Sequence, residues 1–455
     1  MTAALALLPP VVDQTIQRVP LDPFSALGFI VAVCISAYLG VRKSPWIAAL
    51  LAFAVPFAIY RDVGQTTLTL EKSVAFGSAI GLLMGGAPLW PRSAGARRLV
   101  VVVFGVLAAI ALSSLHAVFP VNVAREFFKE AEYLVLLWCA ATCIERVPQS
   151  ARYFSSGIVA AAAIVSTLAV MQALFGGAPS GMWVNGHVLP RATGTLEGPN
   201  QLAGFLEAAL PVLWIWPMLF GRRKDARHKV DGRHEVDRYS PAAQGYVTAV
   251  SSAAMILTQS RAGIAVAALT YALLWRLRGV AARASAVPVS IGAAAGILIT
   301  MVWFVFIAHA SWSDIGQLLR FDIPGEPGGV GTRAQLWPAA IALFAKHPVV
   351  GVGAGNFELL LPTVGVTGVQ THAASLPLQT LAEQGVVGFM ALIAFAIVAL
   401  RETFRRAQTS ALALAAFLAV AGLLAHQLVD DLFFFPKAAA LCWLLLGAGT
   451  AREPS

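Results

Sequence analysis

A single arginine stands between two strongly apolar runs in the segment "AAMILTQSRAGIAVAALTYALLW". A full positive charge in hydrocarbon costs about 2.5–3.5 kcal/mol on insertion scales, so Arg261 requires a reason to be there. Thr258, Gln259 and Ser260 add polar groups at the same level, and Gly263 would permit a break in the backbone. A guanidinium beside hydroxyl groups offers a planar fork of donors that suits a phosphate. The alternative is an interfacial arginine that snorkels to headgroups.

A second polar segment, "LPRATGTLEGPNQLAGFLEAALP", places Arg191 in a loop and Asn200 at the start of the next apolar run. Pro199 favours a helix start at this point. Arg191 could be an ordinary solvated loop charge, and Asn200 could be only a helix cap. Glu207 lies about two turns inside the run, where a carboxylate must either pair or face water.

The third segment, "THAASLPLQTLAEQGVVGFMALIAF", contains His372, Gln379 and Glu383 at intervals close to whole helical turns. One continuous helix would stack the three side chains on one face. A histidine at the outer end of such a stripe is a natural proton acceptor near neutral pH. A satisfied polar seam between helices is the alternative. If Pro377 begins the helix, His372 instead lies on the lip of the site.

Two weaker signals stand elsewhere. His426, Asp430 and Asp431 occur in "AHQLVDDLFFFP" at a turn between helices, where a solvated hairpin is at least as good an interpretation. No phosphate-binding P-loop, dinucleotide fingerprint or histidine-rich metal box is present in the sequence. We therefore predict neither a metal nor a cofactor.

The elements that must position these residues are membrane helices. Of the 455 residues, 58% are hydrophobic and only 12% are charged, about half the charged fraction of a soluble protein. A chain of this length with so little charge is typical of a polytopic membrane protein. The net charge of +9 would suggest nucleic acid in a soluble protein. Here the cations lie in short connectors, which is typical of loops near anionic headgroups, so we expect membrane lipid and no nucleic acid as a partner.

The hydropathy pattern predicts an all-α integral membrane protein with about twelve transmembrane helices, in the range 11–13. The short run at 46–60 contains Pro56 and need not be a full span, and the N-terminus lacks the basic region of a signal peptide. Placing the basic connectors in the cytoplasm leaves four segments outside, in addition to the break at 260–263. These outer segments are 61–72, 118–131, 176–200 and 309–376.

This topology divides the chain into four parts. N-terminal helices occupy 1–175, central helices with an outer loop occupy 176–308, a large outer loop with short helices occupies 309–376, and C-terminal helices occupy 377–455. Loops as long as 309–376 are usually functional. Within it, Arg333 opens "RAQLWPAAIALFAKH", whose apolar spacing predicts a helix along the membrane surface.

Three stretches together resemble the O-antigen ligase and polymerase superfamily. They are "GTLEGPNQLAGFL", "LTQSRAG" and "HPVVGVGAGNF" followed by "THAASLPLQTLAEQGVVG". Their order and spacing cover roughly residues 185–435. One departure is Ala373, where many members carry asparagine directly after the histidine. Lipid-dependent glycosyltransferases of the multi-span type often hold a divalent metal with an acidic pair in the first outer loop, whereas Asp62 stands alone here.

The resemblance implies a glycosyltransferase of the multi-span type in the bacterial inner membrane, with its active site facing the periplasm. Its donor would be a glycan on undecaprenyl pyrophosphate and its acceptor a hydroxyl of lipid A–core, with metal-independent, inverting transfer. Arg191 and Arg261 would bind the pyrophosphate, and His372 would be the general base. Five further residues are expected to bind substrate: Asn200, Ser260, Gln379, Glu383 and Arg333.

Two alternatives stay open at this point. An O-antigen or exopolysaccharide polymerase shares the donor and the signature, and we favour a ligase because of the compact chain and the single large outer loop between late spans. A solute transporter is the second alternative. Against it stand the lack of repeat symmetry and the near absence of charge at span centres, where Glu207 is the exception.

Overall fold

The computed structural model shows a bundle of α-helices. It describes residues 20–57, 59–63, 66–178, 180–184, 187–220, 240–277, 283–311, 313–314, 316, 330–368 and 371–454. One of the basic connectors, the run 221–238, and the middle of the segment 309–376 lie outside these ranges. Among the described residues the helices run as follows: α1 Pro23–Val41, α2 Trp46–Phe53, α3 Leu70–Met84, α4 Ala94–Ser113, α5 Pro120–Arg146, α6 Ser150–Phe175, α7 Pro199–Ile215, α8 Pro241–Leu257, α9 Arg261–Leu277, α10 Arg283–Val302, α11 Val330–Lys346, α12 Phe357–Leu360, α13 Leu376–Ala407, α14 Ala411–His426 and α15 Pro436–Thr450.

Six of the described helical segments are long and apolar enough to cross a membrane. They contain α1, α4, α6, α7, α10 and α13. Others are apolar but shorter, such as the 16 residues of α14. By length and composition the expected count of about twelve spans is therefore not confirmed, whereas the mostly helical structure with six apolar helices agrees with the expected all-α membrane protein. The chain is a membrane protein.

The second apolar run forms only the eight residues of α2 before it turns, as the short run with Pro56 predicts. The segment 118–131, which the topology places outside, is mostly helical, because α5 begins at Pro120 and continues for 27 residues. Proline is favoured in the first helical turn, where its missing N–H has no partner to lose. The polar residues of this stretch thus lie on a helix.

Two small antiparallel hairpins lie in segments that the sequence places outside. In the first, β1 (Tyr60–Val63) pairs with β2 (Thr66–Thr69). In the second, β3 (Ser180–Val184) pairs with β4 (His187–Arg191). The hydropathy pattern did not predict either hairpin. The second one matters for function because its last residue is Arg191.

The centre of the bundle is built from α7 and α15. Every residue from Gln201 to Ile215 in α7 is buried, and so is every residue from Lys437 to Thr450 in α15. A helix that is apolar all round belongs in the interior of a large assembly of helices. These two helices fix the positions of Asn200 and Asp430, because Asn200 lies in the first turn of α7 and α15 follows the turn that contains Asp430.

The two ends of the bundle differ in chemistry. At one end, cationic side chains join helix termini: Arg98 Nη1 lies 2.9 Å from Glu402 Oε1, and Arg406 donates to the carbonyl of Ala451 at 3.0 Å. The starts of α7, α9, α13 and α15 and the end of α14 meet at the opposite end. The candidate site residues all belong to this second end.

Candidate active site

A chain of polar contacts joins Arg191 to His372 through two other side chains. Arg191 Nη2 donates to Asn200 Oδ1 at 3.0 Å, and Asn200 Nδ2 donates to Asp430 Oδ2 at 2.9 Å. The other carboxylate oxygen, Asp430 Oδ1, lies 3.9 Å from His372 Nε2. The four residues come from the end of β4, the first turn of α7, the turn after α14 and the coil before α13. The fold thus unites two predicted site residues that are 181 positions apart.

Arg261 is linked to the same chain through the turn that precedes it. The Arg191 Nε–H donates to the carbonyl of Thr258 at 2.7 Å, and Gln259 Nε2 donates to the carbonyl of Pro190 at 2.9 Å. These two bonds clamp the end of β4 onto the break between α8 and α9. Arg261 is the first residue of α9 and is partly exposed. Both predicted phosphate-binding arginines are therefore held at one turn.

The break between these helices lies at Gln259, whose φ of +53° is left-handed. The expectation that Gly263 permits the break is wrong, since this glycine lies inside α9. A Cβ on Gly263 would come within 2.9 Å of the Ala203 side chain, so the glycine allows α9 to pack closely on α7. Ser260 is buried, and its Oγ accepts from the Gly263 N–H at 3.4 Å. In this structure the serine hydroxyl supports the helix start.

Arg333 reaches the same region from the outer segment. It lies in α11, which the apolar spacing of this segment predicted as a helix. Its Nε–H donates to the carbonyl of Val429 at 2.8 Å, one residue before Asp430. The guanidinium of Arg333 thus contacts the turn after α14.

His372 lies in coil and not on the helical stripe, because α13 begins at Leu376 with Pro377 in its first turn. The expectation of one continuous helical face is corrected accordingly, and His372 is on the lip. Its Nδ1 accepts from the Ala374 N–H at 3.1 Å. The neutral ring therefore carries its proton on Nε2, which faces Asp430. Ala374 has a left-handed φ of +51°, a strained conformation for a residue with a Cβ.

Gln379 and Glu383 do share one face of α13, as predicted, and both are buried. Gln379 Oε1 accepts from the Ala373 N–H at 2.7 Å, and Gln379 Nε2 donates to Glu383 Oε1 at 2.8 Å. The same Glu383 oxygen accepts from the Phe357 N–H at 3.0 Å. These bonds tie the residue after His372 and the start of α12 to α13. The pair thus positions the loop that contains the histidine.

The same two side chains line a cavity of about 100 Å³ between α4, α5, α13 and α15. Its polar wall includes Glu126, Lys129 and Glu130 of α5, which sequence analysis did not single out. The space is large enough to hold water. The sequence signal that could have identified Glu126, Lys129 and Glu130 is their spacing of three and four residues, which places them on one face of a helix.

The turn after α14 is buried, so the interpretation as a solvated hairpin is wrong. His426, Asp430 and Asp431 are 1%, 4% and 3% exposed. Burial raises the pKa of Asp431, against the opposing influence of His372. Glu207 pairs with His426, its Oε1 lying 2.6 Å from His426 Nδ1, which confirms that a carboxylate at this depth needs a partner.

The glycine-rich motif at 347–357 holds the outer segment against a broken helix. Within α13, Gly385 has φ +62° and ψ −160°, which interrupts the helical hydrogen bonds. The N–H groups of Val352 and Gly353 donate to the carbonyls of Ala382 and Glu383, at 3.0 and 2.9 Å. In return, the Val386 and Val387 N–H groups donate to the carbonyls of Pro348 and Val349, at 2.9 and 3.1 Å. The exchange satisfies the backbone groups that the break exposes.

Small residues are needed on both sides of this contact. A Cβ on Gly351 would lie 2.2 Å from the carbonyl carbon of Glu383, and one on Gly385 would lie 2.4 Å from that of Val349. Asn356 is fully buried, and its Oδ1 accepts from the Phe119 N–H at 2.9 Å. The motif therefore has a structural role, in which it fixes the outer segment over α5 and α13.

Comparison with known families points to the same region of the chain. Residues 246–393 match the family model described as O-antigen ligase. The chain carries the domain of the O-antigen ligase superfamily. The match runs from α8 into α13 and includes Arg261, Arg333 and His372, whereas Arg191, Asn200 and Asp430 lie outside it. Among curated proteins, none matches the chain.

The superfamily accounts for the general class of activity. O-antigen ligases and polymerases are membrane enzymes that transfer glycans, with lipid-linked glycan and lipid A–core as substrates in general. The match over residues 246–393 therefore supports an enzyme of this membrane transferase class.

Proposed function

We propose that the chain is an O-antigen ligase that transfers a glycan from undecaprenyl pyrophosphate to a hydroxyl of lipid A–core. The reaction would take place at the periplasmic face of the bacterial inner membrane. The observation that carries the proposal is the contact chain from Arg191 through Asn200 and Asp430 to His372. It unites a group suited to a phosphate with a group suited to remove a proton. The family match over 246–393 supports the same reaction class.

In the donor half of the site, Arg191 and Arg261 would bind the pyrophosphate. As the bond between the anomeric carbon and the phosphate oxygen breaks, negative charge grows on the leaving pyrophosphate. Guanidinium groups stabilise this charge through charge-assisted hydrogen bonds, which are strong where water is excluded. The N-terminus of α9 adds a partial positive charge beside Arg261. Arg333 would contribute at the rim of the same site.

In the acceptor half, His372 would be the general base. Because Nε2 carries the proton of the neutral ring and faces Asp430, the basic nitrogen is Nδ1. The acceptor hydroxyl would replace the Ala374 N–H at Nδ1 and give its proton to this nitrogen. Its oxygen then forms a bond to the anomeric carbon while the pyrophosphate leaves from the opposite side. Attack from that side inverts the anomeric configuration, and Asp430 supports the imidazolium as the acid of a triad does.

A reconstituted transfer assay tests this proposal. Purified protein, an undecaprenyl-pyrophosphate glycan and purified core lipid should give glycosylated core lipid, and EDTA should leave the rate unchanged. Absence of transfer from this donor to core lipid, with transfer to a second repeat unit instead, would contradict the ligase assignment. Loss of activity in EDTA that added Mg²⁺ restores would contradict the metal-independent chemistry.

The polymerase alternative uses the same donor and predicts a different phenotype. Deletion of the gene in its own host should remove all O-antigen from core lipid if the protein is a ligase. Lipopolysaccharide that retains a single repeat unit on core would instead identify a polymerase. The transporter alternative requires Glu207 to face a solute pathway, whereas this side chain is fully buried and paired with His426.

A further inference from the structure

Behind the contact chain lies a second pair of titratable groups that the proposed reaction does not use. His426 Nε2 lies 3.9 Å from Asp430 Oδ2, and His426 Nδ1 lies 2.6 Å from Glu207 Oε1. His372 and His426 thus approach different oxygens of one carboxylate. The resulting order, His372, Asp430, His426 and Glu207, alternates bases and acids from the lip of the site into the bundle.

This pair is enclosed by protein. The side chains of His426 and Glu207 are 1% and 0% exposed. A hydrogen bond of 2.6 Å between an imidazole and a carboxylate is short and is typical of a charge-assisted bond. Glu207 and Asp430 are both buried, and two buried carboxylates without a cation would be strongly unfavourable. One proton shared between His426 and Glu207 therefore offsets part of their negative charge.

We propose that Glu207 and His426 form a second acid–base pair that controls how strongly Asp430 supports a proton on His372. The inference rests on the proposed role of His372 as base. A positive His426 competes with His372 for the same carboxylate. Glu207 limits this competition because it is the counter-ion of His426. Both residues are therefore positioning residues that act through Asp430.

The other charged groups around this set are few and are held by contacts. Arg333 bonds to the carbonyl of Val429 beside Asp430, and Arg191 reaches Asp430 through Asn200. Arg261 opens α9, whose first turn packs on Glu207 at Gly263. Asp431 and Glu358 also interact electrostatically with His372, which favours their ionised forms. In the contacts described, none of these charged groups lies between His426 and Asp430.

The pH profile of glycan transfer gives the first test, because its acid limb reports protonation of the base. His426→Gln removes the competing cation and should move the acid limb upward by about one pH unit. A shift of this size is expected when one unit charge close to the base is removed. Glu207→Gln removes the counter-ion of His426, which then turns to Asp430, so the limb should move downward. The double variant should move upward as His426→Gln does, since Glu207 acts only through His426.

A matched control is available at the other end of the bundle. Glu402 is also a buried carboxylate with a cationic partner, Arg98, at 2.9 Å. It lies nineteen residues beyond Glu383 in α13, about 28 Å away at the helical rise. Glu402→Gln should reduce the amount of folded protein without moving the profile. Unmoved profiles in both site variants, with normal amounts of folded protein, would overturn the proposal and leave a purely structural pair.

Histidine NMR of the ¹⁵N-labelled protein without substrate tests the inference independently of activity. His372 and His426 should titrate in coupled steps, and the Nδ1 proton of His426 should be strongly shifted downfield and lose that shift in Glu207→Gln. Single, independent titration steps in the wild-type protein would overturn the proposal even if the variants fail to fold. If the wild type transfers no glycan yet shows coupled titration, the proposed function fails and the coupling stands.

Discussion

The two candidate phosphate-binding arginines are held in different ways. Arg191 uses Nε and Nη2 in bonds to the Thr258 carbonyl and to Asn200, so its guanidinium plane is fixed by two partners. Arg261 is the first residue of α9, and the N-terminus of this helix is itself electropositive. The forked shape of the guanidinium group is therefore used directly at Arg191, whereas the charge of Arg261 adds to that of a helix terminus.

Substitution of these arginines should separate charge from geometry. We expect Arg191→Ala and Arg261→Ala to lower the transfer rate by about 10²–10³-fold, the range for removal of one electrostatic donor. Arg261→Lys should retain more activity than Arg191→Lys, because lysine keeps the charge but lacks the fork. Initial rates per amount of folded protein measure this. Equal losses in the two lysine variants would contradict the distinction.

His372→Ala should remove the chemical step and leave donor binding in place, because the histidine faces the acceptor half of the proposed site. Loss of a positioned base typically reduces turnover by about 10²–10⁴-fold. Turnover and binding of the lipid-linked donor are measured on the same preparation. His116→Ala provides a control histidine outside the contact chain, stacked on His347 at 4.3 Å. Donor binding that disappears together with turnover would assign His372 a structural role.

The residues of the site differ in how well the sequence could predict them. Arg261 and His372 stand in apolar or glycine-rich surroundings that make a polar side chain conspicuous. Asp430 was undervalued because a carboxylate in a turn between helices is normally solvated. Its burial arises from Asn200 and from the coil before α13, which are remote in sequence. Only tertiary packing reveals such a residue.

At the scale of elements, α13 and the segment at 348–353 form one unit. Neither satisfies its backbone groups alone, since each donates to carbonyls of the other across the break at Gly385. The glycine spacing of the motif was visible in the sequence, but its meaning was not. Hydropathy predicts an uninterrupted span here, because the break changes no residue's polarity.

Gly385→Ala should destabilise the protein by at least about 2 kcal/mol, since the added Cβ meets backbone and the conformation suits glycine only. Thermal unfolding in detergent should show a lower midpoint. Gly105→Ala is the matched control, because a Cβ at this position in α4 meets nothing within 4 Å. The control should be neutral or slightly stabilising. Equal midpoints for the two variants would contradict the backbone contact.

At the scale of the whole molecule, buried carboxylates at the site end of the bundle make the stability of the protein depend on pH. Burial raises the pKa of both Asp431 and Glu358 above their ordinary values of 3.8 and 4.5. The folded protein then binds more protons than the unfolded chain, so stability decreases as pH rises from about 4 through the raised pKa values. The direction is opposite to that of a salt-bridged carboxylate.

Unfolding midpoints measured as a function of pH should therefore decline above about pH 4, and Asp431→Asn should flatten the decline. Glu132→Gln is a suitable comparison, because Glu132 is 46% exposed in its pair with Lys72 and is screened by solvent. It should leave the slope unchanged. A slope that Asp431→Asn does not alter would show that other groups control the pH dependence.

The break at Gly385 also constrains how the chain is assembled in the membrane. Unpaired N–H and carbonyl groups in hydrocarbon cost several kcal/mol each, so α13 cannot settle in lipid with its break exposed. The segment at 348–353 that satisfies these groups precedes α13 in the chain. We therefore expect α13 to insert stably only after this segment has docked against the break, so the two insert as one unit.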